Sequence, residues 1–301
     1  MFRRLLVPLD GSRLAEAVLP VVRRMAEVVP CRITLLHVIE KRPPSSIHGD
    51  VHLHDSQSAE VYLASISQRL KEAGLEVDTH VHTVPQGDIP GCIAEHAGEL
   101  EQDLIVLCTH GAGGVRRFVF GSNAEQVLTH GAAPVLFIHA KEQVVDKWSG
   151  PRRILVLLDN TPATVPALKI GAALAELAQA RLYLLAVVPT LSSMSAEQAV
   201  SGRMIPHLTR HVLDLAAEEA AAYLQDEVDD LMGQGIPVSG RIERGSAAAG
   251  VERVAGEIEA DLVIIASRGL AGLSALWADA ITRKVSAVYD GVLLLIPRAE
   301  M

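Results

Sequence analysis

The residues best suited to chemistry fall in one stretch, Asp103 to Ser122, DLIVLCTHGAGGVRRFVFGS. Its apolar run, Leu104 to Cys108, reads as a buried strand, and Gly121-Ser122 leads into the helical pattern NAEQVLTH. A strand, a glycine-punctuated loop and a helix start together make an anion site, because unpaired backbone N–H groups and the helix dipole point the same way. Gly111 and Gly121 remove side chains where a phosphate would approach the backbone. Ser122, at the helix start, can cap the helix or hydrogen-bond to a phosphate. An ordinary capped strand-to-helix turn would use the same residues, and this stretch alone leaves both readings open. No lysine stands in the loop and no Walker A sequence occurs. Any phosphate would therefore rely on backbone amides, Ser122 and Arg116 or Arg117, although the arginines equally suit a solvated loop face.

Histidine is the other reactive type in quantity. Ten of the 12 lie in the first half, among them His48, His52 and His54 beside Asp55, and His80 with His82. The first group has ligand-like spacing in a loop, and the second would share one face of a strand. No cysteine is near either group in the sequence, so both are read as polar surface or packed side chains, and no metal is expected. His110 belongs to the Thr-His-Gly turn and is expected to position the loop. No serine, histidine and acid are brought together by the sequence, so no catalytic residue is assigned. Cys31, Cys92 and Cys108 are odd in number and widely spaced, which suits reduced thiols of a cytoplasmic protein.

The elements that must position these residues are legible from an internal repeat. Arg3-Arg-Leu-Leu-Val-Pro-Leu-Asp10 returns as Arg152-Arg-Ile-Leu-Val-Leu-Leu-Asp159, and Asp103-Leu-Ile-Val-Leu-Cys-Thr-His-Gly111 returns as Asp261-Leu-Val-Ile-Ile-Ala-Ser-Arg-Gly269. Pro134-Val-Leu-Phe-Ile138 corresponds to Gly291-Val-Leu-Leu-Leu-Ile296. Two colinear copies in 301 residues mean tandem domains, 1–141 and 152–301, joined by the polar segment Lys141 to Pro151. Within the first copy, strands are expected at Arg4–Leu9, Arg32–Ile39, Glu76–Thr83, Leu104–Cys108 and Pro134–Ile138. Helices are expected after Ser12 as far as Pro30, over Gln57–Ala73 and over Asp88–Leu100. This alternation predicts an open parallel α/β sheet with helices on both faces. The second copy repeats it with a longer helix from about His207 to Met232.

Composition agrees. Hydrophobic residues make up 49% of the chain but aromatics only 3%, so the core must be aliphatic, as in covered parallel sheets. A net charge of −9 without a basic cluster excludes a general nucleic-acid surface. No apolar run reaches the ~18 residues of a membrane span, and the run in MFRRLLVPLD is shorter than a signal peptide requires. In such sheets a ligand sits beyond the carboxyl ends of the strands at the switch of strand order. Asp10, Val38-Ile39 and the Gly111–Ser122 loop converge there. Asp10-Gly11-Ser12 is not the G-x-G-x-x-G of dinucleotide folds.

These residues resemble the universal stress protein family. The resemblance rests on V-P-L-D-G-S near the start, L-H-V-I at the second strand, and T-H-G-x9-G-S followed by A-E-x-V-L and P-V-L. It spans essentially the whole chain and implies two tandem Rossmann-like domains of the adenine nucleotide alpha hydrolase-like type, each with five parallel strands. Nucleotide-binding members carry G-x2-G-x9-G-[ST]. Gly111, Gly121 and Ser122 match its last three named positions, while Cys108 replaces the first glycine. The resemblance makes Asp10 the carboxylate near the nucleotide and Val38 the strand-end residue whose backbone meets adenine. It implies ATP, with Mg, in the first domain of a regulatory stress-response protein. It further implies pairing of the last strands, Pro134–Ile138 with Val292–Ile296, as an internal pseudo-dimer, besides a homodimer and an unknown protein partner. In the second copy Asp279-Ala280 stands where Gly-[ST] belongs and Trp277 lies in the loop, so that domain is expected not to bind nucleotide. The alternatives are a slow ATPase, or a nucleotide-free interaction scaffold, which Cys108 favours.

Overall fold

Short aliphatic runs with no polar interruption form strands only where both faces are covered, and this describes most strands of the chain. The computed structural model describes residues 1–42, 46–47, 50–51, 53–109, 126–128, 130, 133–139, 148–193, 206–267 and 284–297. They divide into two compact units, Met1–Gly150 with Val292–Met301, and Pro151–Gly291.

The first unit contains β1 (Arg4–Pro8), β2 (Arg32–Glu40), a short hairpin of β3 (Ser46–Ile47) and β4 (Asp50–Val51), then β5 (Glu76–Gln86), β6 (Leu104–Thr109) and β7 (Val135–His139). Five of these strands lie in the order β5-β2-β1-β6-β7, all parallel. The chain runs outward from β1 through β2 to β5, then returns to the other side of β1 as β6. The order therefore switches between β1 and β6. Leu5, Leu6, Ile33, Leu35, Leu36, Leu104, Ile105 and Phe137 are fully buried in this sheet. Each such side chain stabilises the fold by about 1.5–3 kcal/mol relative to exposure.

Helices α1 (Arg13–Glu16), α2 (Leu19–Val28), α3 (Ser56–Glu72) and α4 (Ile89–Glu99) connect the strands. The sequence pattern predicts one helix where α1 and α2 stand. The break comes at Ala17-Val18 because Pro20, in the first turn of α2, has no N–H to donate back to Glu16. α3 starts at Asp55, whose carboxylate accepts from Ser58 N at 2.8 Å, and stops before Gly74 at φ +86°. β5 is longer than predicted and includes Pro85. An edge strand tolerates proline because one side of it has no ladder to serve.

The second unit repeats the plan with β8 (Arg153–Leu158), β9 (Arg181–Val188), β10 (Val238–Arg244) and β11 (Leu262–Ser267), parallel in the order β10-β9-β8-β11. Its helices span Val165–Ala178, Pro206–Gly233 and Ala247–Glu257. The repeat extends to atoms. Asp103 accepts from Arg3 N at 2.7 Å and from Arg4 N at 3.0 Å, and Asp261 accepts from Arg153 N at 2.9 Å. Arg4 pairs with Glu101 and Arg153 with Glu259, and both glutamates have positive φ.

The last strand, β12 (Val292–Pro297), belongs to the first unit, where it runs antiparallel to β7. Leu294 lies opposite Leu136, and Leu293 opposite Phe137. All four are buried, so β7, which would otherwise end the parallel sheet, presents no exposed edge to solvent.

Candidate functional site

Asp10 follows β1 at the carboxyl edge of the first unit's sheet, next to the switch of strand order. Four contacts set its position. Leu9 N donates to Leu36 O at 2.8 Å, and buried His37 donates through Nδ1 to Leu9 O at 2.7 Å, so β2 grips the end of β1 from its backbone and from a side chain. Asp10 Oδ1 then accepts from Ser12 N at 2.9 Å and from Ser12 Oγ at 2.6 Å. Ser12 is fully buried, and its Oγ in turn accepts from Ala15 N at 3.1 Å, capping α1. His37 has no role in the sequence reading. Its signal was a histidine inside the apolar run Leu35–Ile39, a polar group that must find a partner when buried.

Gly11 makes this turn at φ +88°, and a Cβ there would lie 2.9 Å from Leu53 Cγ. Leu53 follows the β3–β4 hairpin, whose Asp50 accepts from Arg13 N at 2.9 Å. Asp50 and Leu53, which stand between β2 and α3, thus lie against the start of α1. In the second unit Asp159 Oδ1 accepts from Thr161 N at 3.1 Å and from Thr161 Oγ1 at 2.5 Å, with Asn160 at φ 55° in the glycine position. The turn is common to both units, but Ala186 takes the place of His37.

Val38 is buried near the end of β2, where it is paired with His82 of β5. The β2–β5 ladder shifts register between Val38 and Glu40. Asp10 and Val38 are therefore brought to the same edge, and β6 reaches that edge at Thr109, next to β1. Cys108 of β6 pairs with Ile138 of β7 and is half-buried. Gly111, Gly121, Ser122, His110, Arg116 and Arg117 lie outside the described residues, as do Gly269, Trp277, Asp279 and Ala280.

The histidines divide differently from the sequence reading. His48 and His52 lie outside the described residues. His80 and His82, one face of β5, meet α4, whose Cys92 and His96 were not connected with them from the sequence. His82 Nδ1 is 2.9 Å from His96 Nε2, and His96 Nδ1 is 2.9 Å from Glu99 Oε2. Gln86 Nε2 lies 3.0 Å from His82 Nε2. The His80 ring stands edge-on to His96 at 4.8 Å between centroids. Burial, with neighbouring His96 and His82, holds His80 below its ordinary pKa. Burial pushes the Cys92 thiol up to about 11, with Glu95, Glu99 and Asp88 adding to the effect. A thiol held protonated in this way is a poor nucleophile. Among the described residues, no helix is long and apolar enough to cross a membrane.

The model of the Universal stress protein family matches residues 1–139 and again 150–288. A universal stress protein from Synechocystis is 30% identical over 139 residues, covering 46% of this chain and 86% of the relative. The solved structure of a universal stress protein from Archaeoglobus fulgidus superposes with TM-score 0.73 at 20% identity, covering 99% of this chain and 97% of that one. A protein of unknown function from Pseudomonas aeruginosa superposes with TM-score 0.70 at 18% identity, over 99% of this chain and 93% of its own.

Proposed function

Because the chain belongs to the universal stress protein family in both of its halves, we propose that it is an ATP-binding regulatory protein of the stress response, with the nucleotide held in the first domain. The observation that carries this reading is the meeting of Asp10, Val38 and the end of β6 at the switch of strand order, the place where open α/β sheets take ligands. Val38 offers backbone to adenine and Asp10 a carboxylate near the nucleotide. Gly111, Gly121 and Ser122 supply amides and a hydroxyl to the phosphates, with Mg accompanying them. The reading is of binding rather than turnover, in a cytoplasmic protein that passes the nucleotide state to a protein partner; among the described residues no acid–base pair accompanies Asp10 and Val38. The domains are those of the repeat, 1–141 and 152–301.

The second domain is its non-binding counterpart. Asp279 in the phosphate loop opposes a phosphate by about 4 kcal/mol for unit charges ~4 Å apart at an effective dielectric of ~20. The missing hydroxyl at Ala280 removes a further ~1.5–3 kcal/mol.

Calorimetric titration tests the assignment. Wild-type protein binds one ATP per chain. Ser122→Ala weakens binding roughly 10- to 100-fold, and Gly121→Val removes it. The triple change Asp279→Gly, Ala280→Ser and Trp277→Leu raises the capacity to two. Unchanged affinity in Ser122→Ala and Gly121→Val would remove the first-domain site. The absence of any ATP binding would leave the scaffold reading that Cys108 favours.

A further inference from the structure

Beyond nucleotide binding, we propose that His82, Cys92 and His96 form a site for one divalent transition-metal ion of the zinc class. One ligand atom from each residue lies within 4.8 Å of the other two. Nitrogen bonds of ~2.0–2.1 Å and sulfur bonds of ~2.3 Å to a tetrahedral ion place ligand atoms about 3.3–3.7 Å apart. The two imidazole nitrogens, at 2.9 Å, share a proton where the ion would sit, and they need to part by only about half an ångström.

The elements hold this geometry without help from a loop. His80 and His82 are two apart on β5 and so share a face. Cys92 and His96 are four apart on α4 and so share a stripe of that helix. Asp88 caps α4 by accepting from Gly91 N at 3.0 Å, which fixes the turn that carries Cys92. Cys92 and His96 are buried and His82 is half-buried, so an ion would be shielded from most of the solvent yet reachable from the His82 side.

The surroundings are those of a ligated histidine. Glu99 accepts the Nδ1 proton of His96, which leaves Nε2 with its lone pair directed at His82. A carboxylate behind a ligating imidazole fixes its tautomer and raises its basicity. His82 has Gln86 on its far nitrogen. When an ion takes Nδ1, the His82 proton moves to Nε2 and the Gln86 amide turns its oxygen to accept it. Cys92 enters as thiolate and its proton leaves to solvent. The three protein ligands leave the fourth position to water, and the His80 ring stands edge-on to His96. Imidazole and thiolate together select zinc-class ions over magnesium or calcium, which prefer oxygen.

The test uses full-length, chelator-treated, nucleotide-free protein. Zn2+ is titrated against a chromophoric chelator, and Co2+ is added as a spectroscopic probe. One Zn2+ per chain is expected, and Co2+ should give a thiolate charge-transfer band with the visible bands of a four-coordinate site. Cys92→Ser should abolish the charge-transfer band. His82→Gln, at the half-exposed ligand, should weaken Zn2+ at least 10-fold, and Glu99→Gln should weaken it 10- to 100-fold. His54→Gln, on an exposed residue elsewhere in the domain, should leave affinity unchanged. Thermal unfolding of each metal-free variant checks that it is folded. Wild-type affinity in both His82→Gln and Cys92→Ser, or a Co2+ complex without a sulfur band, would overturn the proposal. ATP affinity is read separately, so loss of one site does not remove the other.

Discussion

Asp10 Oδ1 accepts both the backbone N–H and the hydroxyl of Ser12, at 2.9 and 2.6 Å, and Asp159 makes the same pair of bonds to Thr161. The carboxylate that family resemblance places beside the nucleotide is therefore also the fastener of the turn between the first strand and first helix of each unit. Asp10→Ala and Asp159→Ala should each cost stability, about 1–2 kcal/mol, by releasing the turn, and Asp10→Ala also unsettles Ser12, the cap of α1. Only Asp10→Ala should also weaken ATP. Denaturant unfolding and calorimetry on both variants check this, and equal loss of ATP affinity in the two would undo the separation of roles.

Gly11 and Asn160 occupy corresponding positions with φ of +88° and 55°. Left-handed backbone costs an ordinary residue roughly 1–2 kcal/mol, and asparagine less. Gly11→Ala should lose about that much, with the contact to Leu53 adding to it, whereas Asn160→Gly should be close to neutral. Urea midpoints of the two variants give the comparison. A neutral Gly11→Ala would mean that the turn relaxes to negative φ.

Leu136 and Leu294 face each other across β7 and β12, at 0% and 1% exposure. Leu136→Ala and Leu294→Ala should each destabilise by about 2–5 kcal/mol. Because the side chains are direct neighbours, the double variant should depart from additivity by at least ~0.5 kcal/mol. Additivity within ~0.3 kcal/mol in a double-mutant cycle would show that the two strands do not pack as a pair.

Burial, with Asp103 adding to it, pushes the Cys31 thiol up to about 11. The folded state therefore keeps this proton at pH values where the unfolded chain, with its thiol near ~8.5, has lost it. The contribution is fully present below the unfolded value and is lost as pH rises toward 11. The melting temperature should fall between about pH 8.5 and 10.5, and Cys31→Ser should fall less steeply. Parallel slopes for the two proteins would remove Cys31 as the cause.

The sequence by itself determined the tandem α/β plan, because apolar runs of strand length and helical repeats record burial directly, and duplication copied that record twice. It also marked the Asp10-Gly11-Ser12 turn, since polar residues closing an apolar strand before a helical pattern signal a helix start. The split of the first helix was legible in Pro20 but hidden by the continuous apolar spacing around it. Tertiary structure alone decided three things. It set His37 against the Leu9 carbonyl, a contact between strands that no local spacing encodes. It settled the pairing of β12 with β7 that the resemblance implied, because no spacing encodes which edges remain open. It also brought Cys92 and His96 to His82, since β5 and α4 each carry half of the cluster and only their packing makes one site of two unremarkable pairs.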